Sequence, residues 1–315
     1  MYPAYSVIFF TVSSGIGYGL LALMGIFAAT GGLPLTKDLG LVGLGLGFIS
    51  VSAGLLSSTF HLGHPERAWR ALTQWKSSWL SREGIAAVLT FLPVILLAYT
   101  WVYRGDSART LEIWAVLTAA GAFITVYCTG MIYRSLKTIH QWHNAWTLPN
   151  YLLLGLAGGA VWLSAIVAML GYESHQVTLT AALALAAAWI SKAGYWRFID
   201  TTRHQTTPET ATGLGRFGKV SKFEGPHTSP NYLMKEMGFQ VARKHVAKLR
   251  RYVHLIGFAA PLGLVVLGLI FPGIVGTVSL FLAGLAVTLG LVIERWLFFA
   301  EASHVVSLYY GEKST

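Results

Sequence analysis

Long apolar runs separated by short polar segments dominate the chain. A helix needs about 20 predominantly apolar residues to cross a bilayer. Eight stretches meet that requirement: 5–30, 39–61, 83–103, 110–133, 148–170, 177–199, 252–272 and 274–299. The last is expected to extend as an amphipathic helix to about residue 310. Runs such as AALALAAAWI (181–190) are unbroken, whereas transmembrane β-strands alternate over about ten residues. The pattern therefore predicts an all-α, polytopic integral membrane protein. No Lys or Arg precedes the first apolar run, so that run is expected to be a retained span rather than a cleaved signal.

Eight spans place both termini on one side, here called side A. Side A carries the loops 62–82, 134–147 and 200–251, and side B carries 31–38, 104–109, 171–176 and the turn near Pro272. Two groups of four helices are expected, 1–133 and 134–315, with no convincing repeat between them. Of the 23 Lys and Arg residues, only Lys37, Arg104 and Arg109 fall nearest side B. By the positive-inside rule side A is cytoplasmic.

Composition agrees with this picture. Hydrophobic residues make up 54% of the chain and charged residues 11%, less than half the roughly 25% of an average soluble domain. A soluble enzyme and a disordered regulator are both excluded. The formal net charge of +10 is concentrated between apolar spans, which fits anionic lipid rather than nucleic acid. The single cysteine, Cys128, forms no internal disulfide and holds no iron–sulfur cluster. Glycine clusters at 15, 17 and 19 and at 43, 45 and 47 are packing features, since none follows a strand. In the loop 200–251, the first half is expected to be irregular. The second, about 231–251, is expected to be a helix ending in Arg243, Lys244, Lys248, Arg250 and Arg251. That basic run reads as a headgroup anchor or as a dock for a cytoplasmic partner.

Ionisable groups at membrane depth are costly and usually functional. The segment TFHLGHPERAWRALTQWKSSWLSREG (59–84) places His61 at the side-A end of the second span and Glu83 at the start of the third. His64, Glu66, Arg67, Arg70 and Arg82 lie between or beside them. Pro65 suits the first turn of a short helix to about Leu72, with Trp69 and Leu72 along the interface. A quinone at the membrane edge needs an apolar channel and hydrogen-bonding groups that exchange protons near neutral pH. A His and a partly desolvated carboxyl form such a pair. The competing readings are an interfacial His61 bonded to a carbonyl, and a Glu83 in the first helical turn with Ser81 as N-cap.

Other candidates gather on side A. His140 and His143 follow the fourth span, with Trp142 and Trp146 as belt residues, and His254 begins the seventh. Lys192 lies near the inner end of the sixth. Glu294 and Glu301 share a helix face, and Glu301 and His304 are close enough to touch, unless this group is simply an amphipathic interfacial tail. A haem b needs facing axial ligands, typically His. His61, His140, His143 and His254 are compatible with one, and nothing requires it.

The eight-span plan, the segment Thr59-Phe60-His61-Leu62-Gly63 and the Ser81-Arg82-Glu83 entry to the third span resemble the membrane anchor subunits of dimethyl sulfoxide reductases. The resemblance implies a three-subunit complex. A molybdopterin subunit performs the substrate reaction, a four-cluster iron–sulfur subunit relays electrons, and the anchor exchanges them with the quinone pool. It also implies that His61 and Glu83 form the quinone site; their neighbours His64 and Arg82 are expected as outer groups from position alone. In dimethyl sulfoxide reductase the matching loop faces the periplasm, whereas here it is predicted to be cytoplasmic. That orientation and the SPNYLMKEMGFQVARKH segment are more similar to the membrane subunit of cytoplasmic-facing sulfite dehydrogenase. The expected activity is quinone reduction with electrons from sulfite. The alternatives are quinol oxidation for a sulfoxide reductase and, in another class, secondary transport. Transport is disfavoured because the ionisable residues lie at one edge rather than at the midplane.

Overall fold

A computed structural model describes residues 3–60, 64–104, 108–202, 206–221, 223–224 and 241–310. Eight helices among them are long and apolar enough to cross a membrane. The first six are α1 (Tyr5–Thr30), α2 (Lys37–Thr59), α3 (Trp79–Tyr99), α4 (Ala108–Arg134), α5 (Thr147–Met169) and α6 (His175–Thr201). A short α7 (Pro208–Thr212) lies in the large loop. Helix α8 (Val241–Tyr252) passes through a π-helical stretch, Val253–Ala259, into α9 (Ala260–Ile270), and α10 (Ile274–Ala300) follows a tight turn. Among the described residues the β-structure is one isolated bridge, Ile139 to His304.

Local chemistry sets the helix ends. Gly31, at φ 72°, closes α1, and Gly273, at φ 75°, turns the backbone into α10. Ser78 and Ser174 cap α3 and α6 by accepting from Ser81 N and Val177 N, each at 3.4 Å. Pro93 lies within α3.

Helix α1 is the axis of the bundle. It packs against α2, α4, α5 and α10, and 78% of its apolar window is buried, against 28% for the seventh span. Small residues make this possible. A Cβ on Gly19 would lie 2.0 Å from the Gly155 carbonyl oxygen, and one on Gly159 would lie 2.2 Å from Leu20 N. The backbones of α1 and α5 thus touch, joining the first four spans to the second four. Gly257 and Gly290 make a similar approach between the seventh and eighth spans, where a Cβ on Gly290 would lie 2.1 Å from Gly257 Cα.

Three expectations need correction. The basic helix does not end with its basic run at 251: its described part, α8, is continuous with the seventh span, because Arg and Lys extend a helix as readily as apolar residues do. Residues 231–240 of that expected helix lie outside the described residues. The last span does not run on as a helix to 310. The backbone turns at Glu301, pairs beside the α4–α5 loop through Val305 N to Thr138 O at 3.1 Å, and ends in a 3₁₀ turn, Val305–Tyr310. Trp142 is not a belt residue. It is 4% exposed, donates its Nε1–H to Phe298 O at 2.9 Å, and packs on Tyr133, Phe298 and Phe299.

Candidate functional site

The segment after α2 returns to the membrane edge through a 3₁₀ helix, Pro65–Gln74, with Trp69 and Trp75 exposed. His61 lies outside the described residues. His64 is exposed and holds Glu66 at 3.0 Å. Arg82 donates from Nε to Trp75 O at 2.8 Å and from Nη2 to Lys76 O at 2.7 Å, with its guanidinium 4.2 Å above the Trp79 ring. Arg82 therefore fastens the loop to the start of α3. Neither His64 nor Arg82 is bonded to Glu83.

Glu83 faces the interior. Helix α3 begins at Trp79 with Ser78 as its cap, so Glu83 lies beyond the first turn and Ser81 is not its N-cap. That overturns the capped first-turn reading. Glu83 is 4% exposed and accepts a hydrogen bond from Thr129 Oγ1 on α4. Thr129 also approaches Thr125 O at 3.0 Å, and Thr125 meets Thr90 of α3 at 3.3 Å between hydroxyls. Among the described residues, no cation pairs with Glu83. Thr129 was not among the candidates drawn from sequence; its spacing of four from Thr125 on an apolar helix was the available signal.

On the outer face of the same two helices runs an apolar groove of about 510 Å³. Leu89, Leu92, Pro93, Trp114 and Leu117 line its length, Thr90 and Cys128 lie in its wall, and Trp75 and Arg82 stand at its side-A head.

A second buried cluster joins α6 to α10. Lys192 Nζ and Arg295 Nε both lie 2.5 Å from the Glu294 carboxylate, on opposite oxygens. The three residues are 1%, 3% and 0% exposed for Lys192, Arg295 and Glu294. Lys192 also stands 4.0 Å over the Tyr195 ring, and Arg295 4.3 Å over Tyr151. Lys192 and Glu294 were separate candidates from sequence, and Arg295 was not one. Glu301 pairs with Arg250 at 2.7 Å, and Arg250 also holds Asp200 at 2.7 Å. Arg250 thus ties α8 to the ends of α6 and α10, instead of standing free in a basic run. His304 Nδ1 accepts from Val306 N at 3.0 Å.

Of the four histidines considered for haem, the three among the described residues each engage a different neighbour. His140 Nε2 meets Thr202 Oγ1 at 2.9 Å, His143 Nδ1 donates to Arg134 O at 2.5 Å, and His254 Nδ1 accepts from Trp189 Nε1 at 2.7 Å.

Comparison with known proteins agrees with this architecture. Residues 1–202 match the family of the DMSO reductase anchor subunit (DmsC). The sequence is 32% identical to the C subunit of sulfite dehydrogenase from Allochromatium vinosum, over 98% of this protein and 99% of that one. It is 25% identical to the C component of anaerobic dimethyl sulfoxide reductase from Escherichia coli, over 46% of this protein and 50% of that one. YnfH, an anaerobic dimethyl sulfoxide reductase component of E. coli, is 29% identical over 44% of this protein and 50% of its own length. An eight-span helical bundle with a family match over most of its length makes this chain a member of the DMSO reductase anchor subunit family.

Proposed function

We propose that the protein is the membrane anchor and quinone-reactive subunit of a three-subunit molybdopterin oxidoreductase, and that it delivers electrons from sulfite oxidation to the quinone pool. A four-cluster iron–sulfur partner docks on side A, which faces the cytoplasm of a bacterial inner membrane. A molybdopterin partner converts sulfite and water to sulfate, two protons and two electrons. The near-full-length similarity to the C subunit of a sulfite dehydrogenase supports this choice of substrate over a sulfoxide.

The observation that carries the quinone reading is Glu83. It is a buried carboxyl with a hydroxyl partner and no cation among the described residues, one helix seam from an apolar groove. An ion-paired carboxylate is held charged. A buried carboxyl answered only by a hydroxyl is not locked as an ion and can carry a proton. The isoprenoid tail lies in the groove between α3 and α4, and the ring reaches the side-A edge. There, two electrons and two protons convert quinone to quinol. Glu83 supplies one proton and His61 the other, both drawn from the cytoplasm, so this half-reaction moves no net charge across the membrane.

Glu83→Gln tests this reading in the assembled complex. Quinone-linked sulfite oxidation should fall by about tenfold or more, while oxidation with a soluble dye acceptor persists. Equal loss of both, or of neither, excludes the assigned role.

A further inference from the structure

At the junction of α1, α4, α5 and α10 lies a cavity of about 20 Å³, lined in part by Thr11, Ser14, Tyr18, Thr129, Tyr151 and Arg295. About 10–15 Å³ suffices for one water molecule, and cavities that stay empty are apolar. The wall of this one is mostly apolar, Val12, Ile16, Val126, Leu154 and Leu291 included, but six polar side chains converge on it. Arg295 is 3% exposed and gives its Nε–H to Glu294, while Nη1 and Nη2 make no hydrogen bond of normal geometry among the described residues. The Tyr18 and Tyr151 hydroxyls make none of normal geometry either, and have only looser approaches to Thr125 and to Arg295. Buried donors left unmade are expensive, and charged ones more so. Thr11 and Ser14 donate their hydroxyl hydrogens to the carbonyls of Val7 or Ile8 and of Phe10, so they present only lone pairs to the cavity.

Lys192 and Arg295 share the one Glu294 carboxylate, while the nearby Glu301 is taken by Arg250. Thr129, in the cavity wall, is the hydrogen-bond donor to Glu83.

We infer that this cavity is a water site linking Arg295 to Thr129, which makes Arg295 the origin of a hydrogen-bond chain that ends on the carboxylate of Glu83. The sense of that chain is fixed, because a guanidinium only donates. Water accepts from Arg295 and donates to Thr129 Oγ1, and Thr129 donates to Glu83. Its second hydrogen goes to a lone pair on Thr11, Ser14 or a tyrosine hydroxyl. Aligned donors of this kind reinforce one another in a low-dielectric interior. Resting on the reading of Glu83 as the proton-exchanging carboxyl, the water link stabilises Glu83 after it has given up its proton. Arg295 is thus a positioning residue that does not touch quinone.

Arg295→Met leaves Lys192 and Glu294 as a one-to-one pair, so the fold keeps a neutral core. In the intact complex, quinone-linked kcat should fall about tenfold, the value of one charge-assisted hydrogen bond. KM for a short-chain quinone should stay unchanged, and Arg295→Lys should recover part of the loss. Thr129→Val interrupts the same link but also removes the direct bond to Glu83, so if Arg295→Met fails to assemble the density map decides. Wild-type kcat in these variants, in a complex that Glu83→Gln disables, overturns this inference and leaves the quinone site standing. The water is tested independently of Glu83 chemistry by a density map of the complex. A peak within about 3.2 Å of both Arg295 Nη and Thr129 Oγ1 supports the site. An empty cavity, in a map that resolves other buried waters, overturns it.

Discussion

Thr129 on α4 donates its hydroxyl hydrogen to the carboxyl of Glu83 on α3, and both side chains are buried. This bond ties the two helices that frame the apolar groove at the depth where α3 enters the bundle. Thr129→Val keeps the shape and removes the donor. A hydrogen bond to a charged group contributes roughly 1.5–3 kcal/mol, so quinone-linked turnover should drop by about tenfold or more. Dye-linked turnover of the purified complex should change little by comparison. The ratio of the two activities is the measurement, and an unchanged ratio removes Thr129 from the site.

Glu294 is placed differently, between two cations at 2.5 Å. Glu294→Gln leaves Lys192 and Arg295 buried and mutually repelling, and should destabilise the protein by roughly 3–5 kcal/mol. Lys192→Met leaves a neutral Glu294–Arg295 pair and should cost less. Adding Lys192→Met to Glu294→Gln should recover stability by removing one of the stranded charges. Melting of the detergent-solubilised protein ranks the three variants. A Lys192→Met protein less stable than Glu294→Gln contradicts the charge argument.

The contrast between these two carboxyls explains what the sequence discloses. The eight spans are legible because twenty apolar residues have few other uses. Glu83 stands out because a carboxyl near the start of a span is rare and sits in a recognisable segment. Arg295 does not stand out: an Arg near the inner end of a helix usually snorkels to the headgroups, and only the packing of α6 on the seventh and eighth spans sets Lys192 against Glu294. Trp142 fails for the same reason, since interfacial and buried tryptophans occupy the same local sequence. Helix α3 starts at Trp79 rather than at 83, and α8 joins the seventh span, because polar residues continue a helix beyond the apolar run.

The contact of α1 with α5 gives a prediction with an internal control. Gly159→Ala would place a methyl 2.2 Å from Leu20 N, backbone that cannot step aside. The two helices must separate, at a cost of about 1–3 kcal/mol or more. Gly45 on α2 has nothing within 4 Å of the same position. Gly45→Ala should be neutral or stabilise by about 0.5–1 kcal/mol, because alanine loses less backbone entropy in a helix. Thermal melting of both variants should move in opposite directions or differ clearly. Equal destabilisation would show that α1 and α5 approach each other less closely than their glycines allow.

The C-terminal segment should respond to acid. His304 Nδ1 accepts the Val306 N–H, and burial holds its imidazole below the usual range. A protonated ring would present a donor where an acceptor is required. Because the folded state resists the proton, the unfolded segment binds it more readily. The stabilisation is therefore complete above the unfolded-state value of about 6.5 and is lost as pH falls below it toward the folded value. Hydrogen exchange at Val306 should accelerate below about pH 6.5 relative to exchange within α10. His304→Asn should flatten that pH dependence, since its amide does not titrate. The Val305 N to Thr138 O bond should loosen along with it, because the same short segment carries both. Protection at Val306 that is identical at about pH 5 and about pH 8, on either side of the free imidazole value, would mean that the ring stays neutral, or that its bond to Val306 does not hold the segment.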